Sequence, residues 1–310
     1  MGLTTILGAG GAISNELVKI LSANGTPLRL VSRNPKPQAR AEIMAADISD
    51  PQQAIKAVAG SSVVHLLVGL KYDLKIWQEL WPRIMANTIE ASKRAGAKLV
   101  FFDNVYMYGK VDGPMTEQTP YAPVSKKGEI RARIATALME EAKRGSLTTM
   151  IARAADFYGP ADAQHGMPNV LVFDAFAKGS KPSWLINPNV PHSLTFTPDA
   201  ARAVAMLAER DSAWNQVWHL PTASRAPTGK EFITMAAQAF GMKPRHKILN
   251  RGMIKVGGWF NPLVRELYEM LYQYDSPYRF DSSRFAHEFG FGGTPYDEGI
   301  RTAVRSFGRC

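Results

Sequence analysis

Leu3-Thr4-Thr5-Ile6-Leu7 runs directly into Gly8-Ala9-Gly10-Gly11-Ala12-Ile13-Ser14 near the start of the chain. The first five residues are a short apolar run that ends in glycines, which reads as a buried strand. From Ala12 to Ala23 the apolar residues Leu17, Ile20 and Leu21 recur at helical spacing, and the pattern stops near Gly25. Glycines at such a turn let the backbone approach a pyrophosphate closely. The following helix offers it free N–H groups and a partial positive charge. In a strand-turn-helix context this predicts a dinucleotide site on Gly8, Gly10, Gly11, Ala12 and Ile13, against the alternative of a tight turn with no ligand.

Working outward, the same alternation repeats. Strands are expected at Pro27–Val31, Glu42–Ala46, Ser62–Val68, Lys98–Phe102 and Leu147–Ala152. Helices are expected from Asp50-Pro51 to about Ala59, over Trp77–Ala95 and over Glu129–Lys143. Strands alternating with helices imply parallel βαβ units and a doubly wound α/β sheet of the Rossmann type. The second half changes character. Pro160–Asn189 reads as loops with one helix over Asn169–Lys178, and no second parallel sheet is expected. Further helices are expected from Thr197-Pro198-Asp199 to Glu209, from the capping box at Thr228 to Phe240, over Arg251–Tyr274, and after Thr294-Pro295, with a strand at Val217–Leu220. Residues 1–160 therefore read as the Rossmann core, with 190–225 returning to it, and 161–310 as mostly a smaller C-terminal cap that binds substrate.

Composition excludes several classes. The 310 residues are 45% hydrophobic and 21% charged, which rules out wholesale disorder. The 37 Lys and Arg against 27 Asp and Glu leave a net charge of +10, which favours anionic partners. The single cysteine, Cys310, allows no intrachain disulfide, and no basic segment precedes the first strand. A reducing, cytoplasmic setting without a signal peptide is the expectation. The longest clean apolar stretch, Val63–Leu70, is too short to span a bilayer, so no membrane partner is expected. The densest basic stretch, Lys243 to Lys255, lacks interleaved aromatics, so no nucleic-acid partner is expected either. His165, His192, His246 and His287 have no ligand spacing, so no metal is expected. Trp259, Phe260, Leu263, Leu267, Met270 and Leu271 form a helical apolar stripe that reads as cap core, or as the lining of a substrate pocket.

The end of the second strand reads Leu30-Val31-Ser32-Arg33-Asn34. An acid usually stands here to hold a free ribose 2′-OH. Ser32 and Arg33 stand there instead, and an arginine fork matches a 2′-phosphate. NADP(H) is therefore preferred over NAD(H). A solvated loop arginine is the alternative.

The chain resembles the short-chain dehydrogenase/reductase superfamily, in its extended and atypical forms, along almost its whole length. Gly8, Gly11 and position 14 follow its Gly-x-x-Gly-x-x-Gly fingerprint, with Ser14 in the third place. Asp47-Ile48 resembles the pair that touches adenine, with a turn or cap role for Asp47 as the alternative. Val63 to Gly69 resembles the fourth-strand segment, whose end at Leu67, Val68 and Gly69 would line the cofactor, while His65 reads as core. Asp103 to Gly109 and Arg153 to Pro160 resemble the Ser-Ser-x-x-x-Tyr-Gly and Arg-Pro-x-x-x-Tyr-Gly-Pro segments of nucleotide-sugar epimerases and dehydratases.

The resemblance implies a Tyr-x-x-x-Lys pair and a Ser for proton transfer. Here Lys127 falls in the Tyr slot, Arg131 in the Lys slot, and Asn104 in the Ser slot beside Asp103. Lys127 is one candidate acid/base; Asp103, Tyr106, Tyr108 and Tyr158 are others. A plain basic helix face at Lys126, Lys127 and Arg131 is the alternative. The resemblance thus implies an NAD(P)(H)-dependent oxidoreductase or epimerase/dehydratase-like protein with a degenerate tetrad, acting on a small molecule such as a nucleotide sugar. The alternative is an NADP(H)-binding redox sensor without turnover. A homodimer through the helices after strands four and five is implied by resemblance alone.

Overall fold

The computed structural model describes residues 2–38, 40–160 and 166–307; His165 and Cys310 lie outside them. In chain order the elements are β1 Leu3–Leu7, α1 Ala12–Ala23, β2 Leu28–Ser32, β3 Ala41–Ala45, α2 Pro51–Val58, β4 Ser61–Leu66, α3 Leu74–Ala95, β5 Lys98–Asp103, β6 Pro114–Met115, α4 Lys126–Lys143 and β7 Thr149–Arg153. There follow β8 Asp156–Tyr158, α5 Asp174–Ala177, β9 Ser183–Leu185, β10 Leu194–Phe196, α6 Thr197–Glu209, β11 Val217–His219, α7 Gly229–Ala239, β12 Lys247–Leu249, α8 Arg251–Phe260, α9 Pro262–Leu267, β13 Arg279–Phe280, α10 Ser283–Phe289 and α11 Tyr296–Arg305.

Two compact units divide the chain. The first comprises Met1–Met107, Lys126–Arg153 and Ala201–Trp218. Its centre is a seven-stranded sheet in the order β11-β7-β5-β4-β1-β2-β3. Every pair from β7 to β3 is parallel. This is the doubly wound sheet that the alternation predicts. The sheet interior is continuous and apolar, with Ile6, Leu7, Leu30, Val31, Val64, Leu66, Leu99, Val100, Phe101, Met150 and Ile151 all buried. Each such side chain contributes about 1.5–3 kcal/mol by leaving water. The strand order reverses at β1, which pairs with β2 on one edge and β4 on the other. That switch point opens a crevice at the carboxyl ends of the two strands.

Local chemistry places the helix ends. The Asp50 carboxylate accepts the Gln53 N–H and Pro51 stands at the first position of α2. The Asp73 carboxylate accepts the Ile76 N–H, so α3 begins three residues before the expected Trp77. Gly96 closes α3 at φ +63°.

The second unit comprises Tyr108–Ser125, Ala154–Ala200 and His219–Cys310. It carries three separate two-stranded parallel pairs, β10 with β8, β12 with β9 and β13 with β6. Its core is aromatic: Tyr158, Phe173, Phe176, Trp184, Phe196 and Phe232 are buried together. The expected capping box at Thr228 is formed with Glu231. Two expectations need correction. Asn169–Phe173 is a π-helical turn, and only Asp174–Ala177 is α-helical. The single helix expected over Arg251–Tyr274 is broken, because Asn261 caps a new helix through Leu263 N–H and Val264 N–H with Pro262 at its first position. The stripe splits with it: Met270 and Leu271 are buried, while Trp259, Phe260 and Leu263 are exposed rather than core.

Candidate functional site

The glycine turn sits at the switch point. Gly8 and Gly10 adopt φ +99° and +96°, which L side chains rarely reach. A Cβ on Gly8 would stand 2.7 Å from Val68 N and 2.8 Å from Leu67 O, so only glycine lets β1 and the end of β4 meet. A Cβ on Gly10 would meet nothing within 4 Å. Gly10 is exposed. Gly8 N–H and Ala9 N–H both donate to Val31 O, at 2.9 and 3.0 Å, which ties the turn to β2. Gly11 is the N-cap of α1, and no acidic side chain stands in the first turn. Ala12 and Ile13 open the helix, and Ser14 Oγ donates to Gly11 O at 2.9 Å. Ser14 is buried against the turn. A cradle that admits no Cβ on one side, with an open backbone and an unneutralised helix start on the other, fits a dinucleotide pyrophosphate.

Ser32 ends β2, and Arg33 follows it on the surface. Asp47 is exposed. Its Oδ1 accepts the Ser49 N–H at 2.9 Å and the Ser49 hydroxyl at 2.7 Å. Those two bonds, and the Arg33 charge to a lesser degree, hold the Asp47 carboxyl below its ordinary range. Ile48 is buried. Leu67 and Val68 are half-buried beside Gly8, and Gly69 is exposed.

The second cluster lies at the ends of β5 and β7. Asp103 Oδ1 accepts from Arg131 Nη1 and Oδ2 from Arg153 Nη2, each at 3.3 Å. Asp103 and Arg153 are register partners across the two strands. All three side chains are buried. The Arg131 guanidinium lies 4.0 Å from the Trp81 ring centroid and 4.9 Å from that of Trp77. Burial pulls the Arg131 pKa down, and the Asp103 charge opposes that. Lys127, in the first turn of α4, is fully buried with Nζ 4.7 Å from the Tyr72 ring centroid. Tyr106 stacks on Trp77 at 6.2 Å, and its N–H donates to Asn104 Oδ1 at 3.0 Å.

The structure thus joins Asp103 to Arg131 directly, and Asn104 to Tyr106. Four participants escaped the sequence reading: Tyr72, Trp77, Trp81 and Arg153. The two tryptophans stand four apart on α3, a spacing that puts both on one helix face. That spacing was a readable signal. Two of the alternative proton donors are engaged in packing. Tyr158 is buried among Phe173, Phe196, Phe232 and Tyr296, and burial drives its phenol well above the ordinary value. Tyr108 O–H is hydrogen-bonded to His219 Nε2 at 2.7 Å. Among the described residues no three His, Cys, Asp or Glu side chains are arranged to hold a metal ion.

Residues 4–219 match the profile of the NAD dependent epimerase/dehydratase family. Similar solved structures include the UDP-glucose 4-epimerase of Thermus thermophilus in complex with NAD, 16% identical, with TM-score 0.77 over 98% of each chain. The dTDP-glucose 4,6-dehydratase of Bacillus anthracis str. Ames in complex with NAD is 13% identical, with TM-score 0.81 over 99% of this chain and 97% of that one. MoeE5 in complex with UDP-glucose and NAD is 21% identical, with TM-score 0.79 over 99% of both. At these identities the likeness is one of fold. No curated protein sequence matches the chain.

Proposed function

The chain belongs to the NAD-dependent epimerase/dehydratase family, and we propose that it is an NADP(H)-dependent enzyme of small carbonyl or alcohol substrates, nucleotide sugars among them. The glycine turn carries this reading, since Gly8 packs backbone to backbone on Leu67 and Val68 while the space beside Gly10 is open. Gly8, Gly10, Gly11, Ala12 and Ile13 would hold the pyrophosphate, and Leu67, Val68 and Gly69 would line the nicotinamide half. Ser32 and Arg33 would take the 2′-phosphate, with Asp47 and Ile48 beside the adenine. The nicotinamide, when bound, supplies or accepts a hydride at a substrate carbon. Lys127 Nζ would exchange the proton at the oxygen on that carbon, a role open to a lysine in a desolvated cleft. Asn104 would orient that oxygen, and Tyr106 would wall the site. The Asp103 carboxylate is spent on Arg131 and Arg153, and Arg131 on Asp103. In this reading they set the helix α4 against β5, and so position Lys127.

The same ion-pair set favours a second reading. With Asp103 and Arg131 committed internally, the protein would bind NADP(H) without turnover, as a redox sensor. Titration with NADPH and NADH, then a turnover screen on nucleotide sugars, aldehydes and ketones, separates the two. Turnover that falls at least about a hundredfold in Lys127→Ala, with NADPH affinity held, supports the enzyme. Tight binding with no turnover on any class supports the sensor. Failure to bind either nucleotide overturns both. A homodimer through α3 and α4 is part of the proposal, and sedimentation velocity tests it.

A further inference from the structure

We infer that the α8–α9 hairpin is a docking surface for the face of an anionic lipid bilayer. Trp259 and Phe260, at the tip where α8 turns into α9, are 74% and 83% exposed. Met253, Val256 and Leu263 are each 51% exposed. Single exposed apolar residues are ordinary, but a contiguous group of this size marks an interaction site. The turn per residue in a helix is about 100°. Met253, Val256, Trp259 and Phe260 therefore share the arc opposite the buried Ile254 and Gly258. On the buried seam a Cβ at Gly258 would come within 3.0 Å of Arg265 Cα, so the glycine lets the two helices close into one rigid wedge.

Charge selects the occupant. Lys255 stands at the margin of the apolar arc beside Trp259, Arg265 stands on α9, and Arg251 at the start of α8 is ion-paired with Asp275 at 2.8 Å; all three are exposed. Lys243, Arg245 and Lys247 are exposed in the segment just before it. Against these six cations the stretch from 241 to 269 holds only two acids, Glu266 and Glu269. Two copies of so basic a face repel each other, which argues against self-association. An aromatic tip with a cationic rim matches a lipid interface, where rings sit at headgroup depth and cations meet anionic lipid. The ten residues of α8 lie in that interface and do not cross it. No helix among the described residues is long and apolar enough to cross a membrane. Surface attachment of this kind departs from the sequence expectation of no membrane partner, which rested on spanning length.

Flotation of the purified full-length protein with vesicles tests the inference. Phosphatidylcholine vesicles containing phosphatidylserine should carry the protein up the gradient, and pure phosphatidylcholine vesicles should not. The W259S/F260S double variant should lose about tenfold or more in partitioning. K255E/R265E should lose about fivefold per cation, and added salt should weaken the parent protein's binding. Because these side chains are exposed, melting temperatures should match the parent. M253S/V256S serves as a second apolar variant should W259S/F260S melt early. Equal recovery with both vesicle types, or undiminished binding by both apolar variants, overturns the inference. So does a dimer in sedimentation velocity that W259S/F260S dissociates, or binding to a single-stranded oligonucleotide in place of vesicles.

Discussion

The glycine turn and the Asp103 cluster stand at the ends of strands in one sheet, yet they are built oppositely. At the turn, the chain removes side chains and leaves backbone groups to face outward. Gly8 is as close to Val68 as glycine allows, and nothing stands where a Gly10 side chain would be. In the Asp103 cluster opposite charges meet one another inside the protein. One carboxylate takes two guanidiniums, and two tryptophans cover one of these. The cluster resists change, because removing any member strands a buried charge.

Four measurements break or sharpen that contrast. Asp103→Asn should cost the most, about 3–5 kcal/mol by denaturant unfolding, because two buried guanidiniums lose the carboxylate they share. A loss under about 1 kcal/mol, the range of an exposed pair, would mean the cluster is not structural.

His65 comes next. It lies mid-strand in β4 opposite Ile6 and Val100, fully buried, with Nδ1 unpartnered. Burial pushes its pKa down to about 4 from 6.5. Above pH 6.5 both folded and unfolded forms are neutral. As pH falls from 6.5 towards 4 only the unfolded form takes up the proton, so stability drops by about 3 kcal/mol across that window. His65→Leu should flatten this part of the pH profile. An unchanged slope would assign the loss to other groups.

Gly8→Ala should destabilise by about 2–3 kcal/mol through its φ and its backbone clash, and should abolish nucleotide binding. Gly10→Ala, with similar φ and no clash, should cost about 1 kcal/mol. Equal effects in thermal melts would remove the distinction between the packed and the open glycine. Arg33→Ala leaves the fold untouched and should weaken NADPH binding about tenfold while NADH stays nearly unchanged. Equal loss for both nucleotides in a fluorescence titration would remove the 2′-phosphate role.

The split between legible and hidden features follows from range. The glycine turn, the Asp50 and Thr228 caps and the parallel alternation depend on residues within one turn or one strand of each other. Ser32-Arg33 could be placed at the end of β2 for the same reason. The broken helix at Asn261-Pro262 was also written locally, but a continuous apolar stripe hid it. Lys127, Arg131 and Asp103 could be named from the sequence as candidates by resemblance, yet not what they touch.

The amino-acid order alone determined the alternation of strands and helices and the glycine turn after the first strand, because backbone geometry and hydrophobic period are short-range properties; the strand order and its reversal at β1 came only with the tertiary structure. Only the tertiary structure decided that Arg131 is caged by Trp77 and Trp81, that Arg153 shares Asp103, and that the Trp259–Phe260 tip points to solvent. Those outcomes depend on which side chains from distant segments arrive at one place. Arg153 lies 50 residues from its carboxylate, and no local pattern records that meeting.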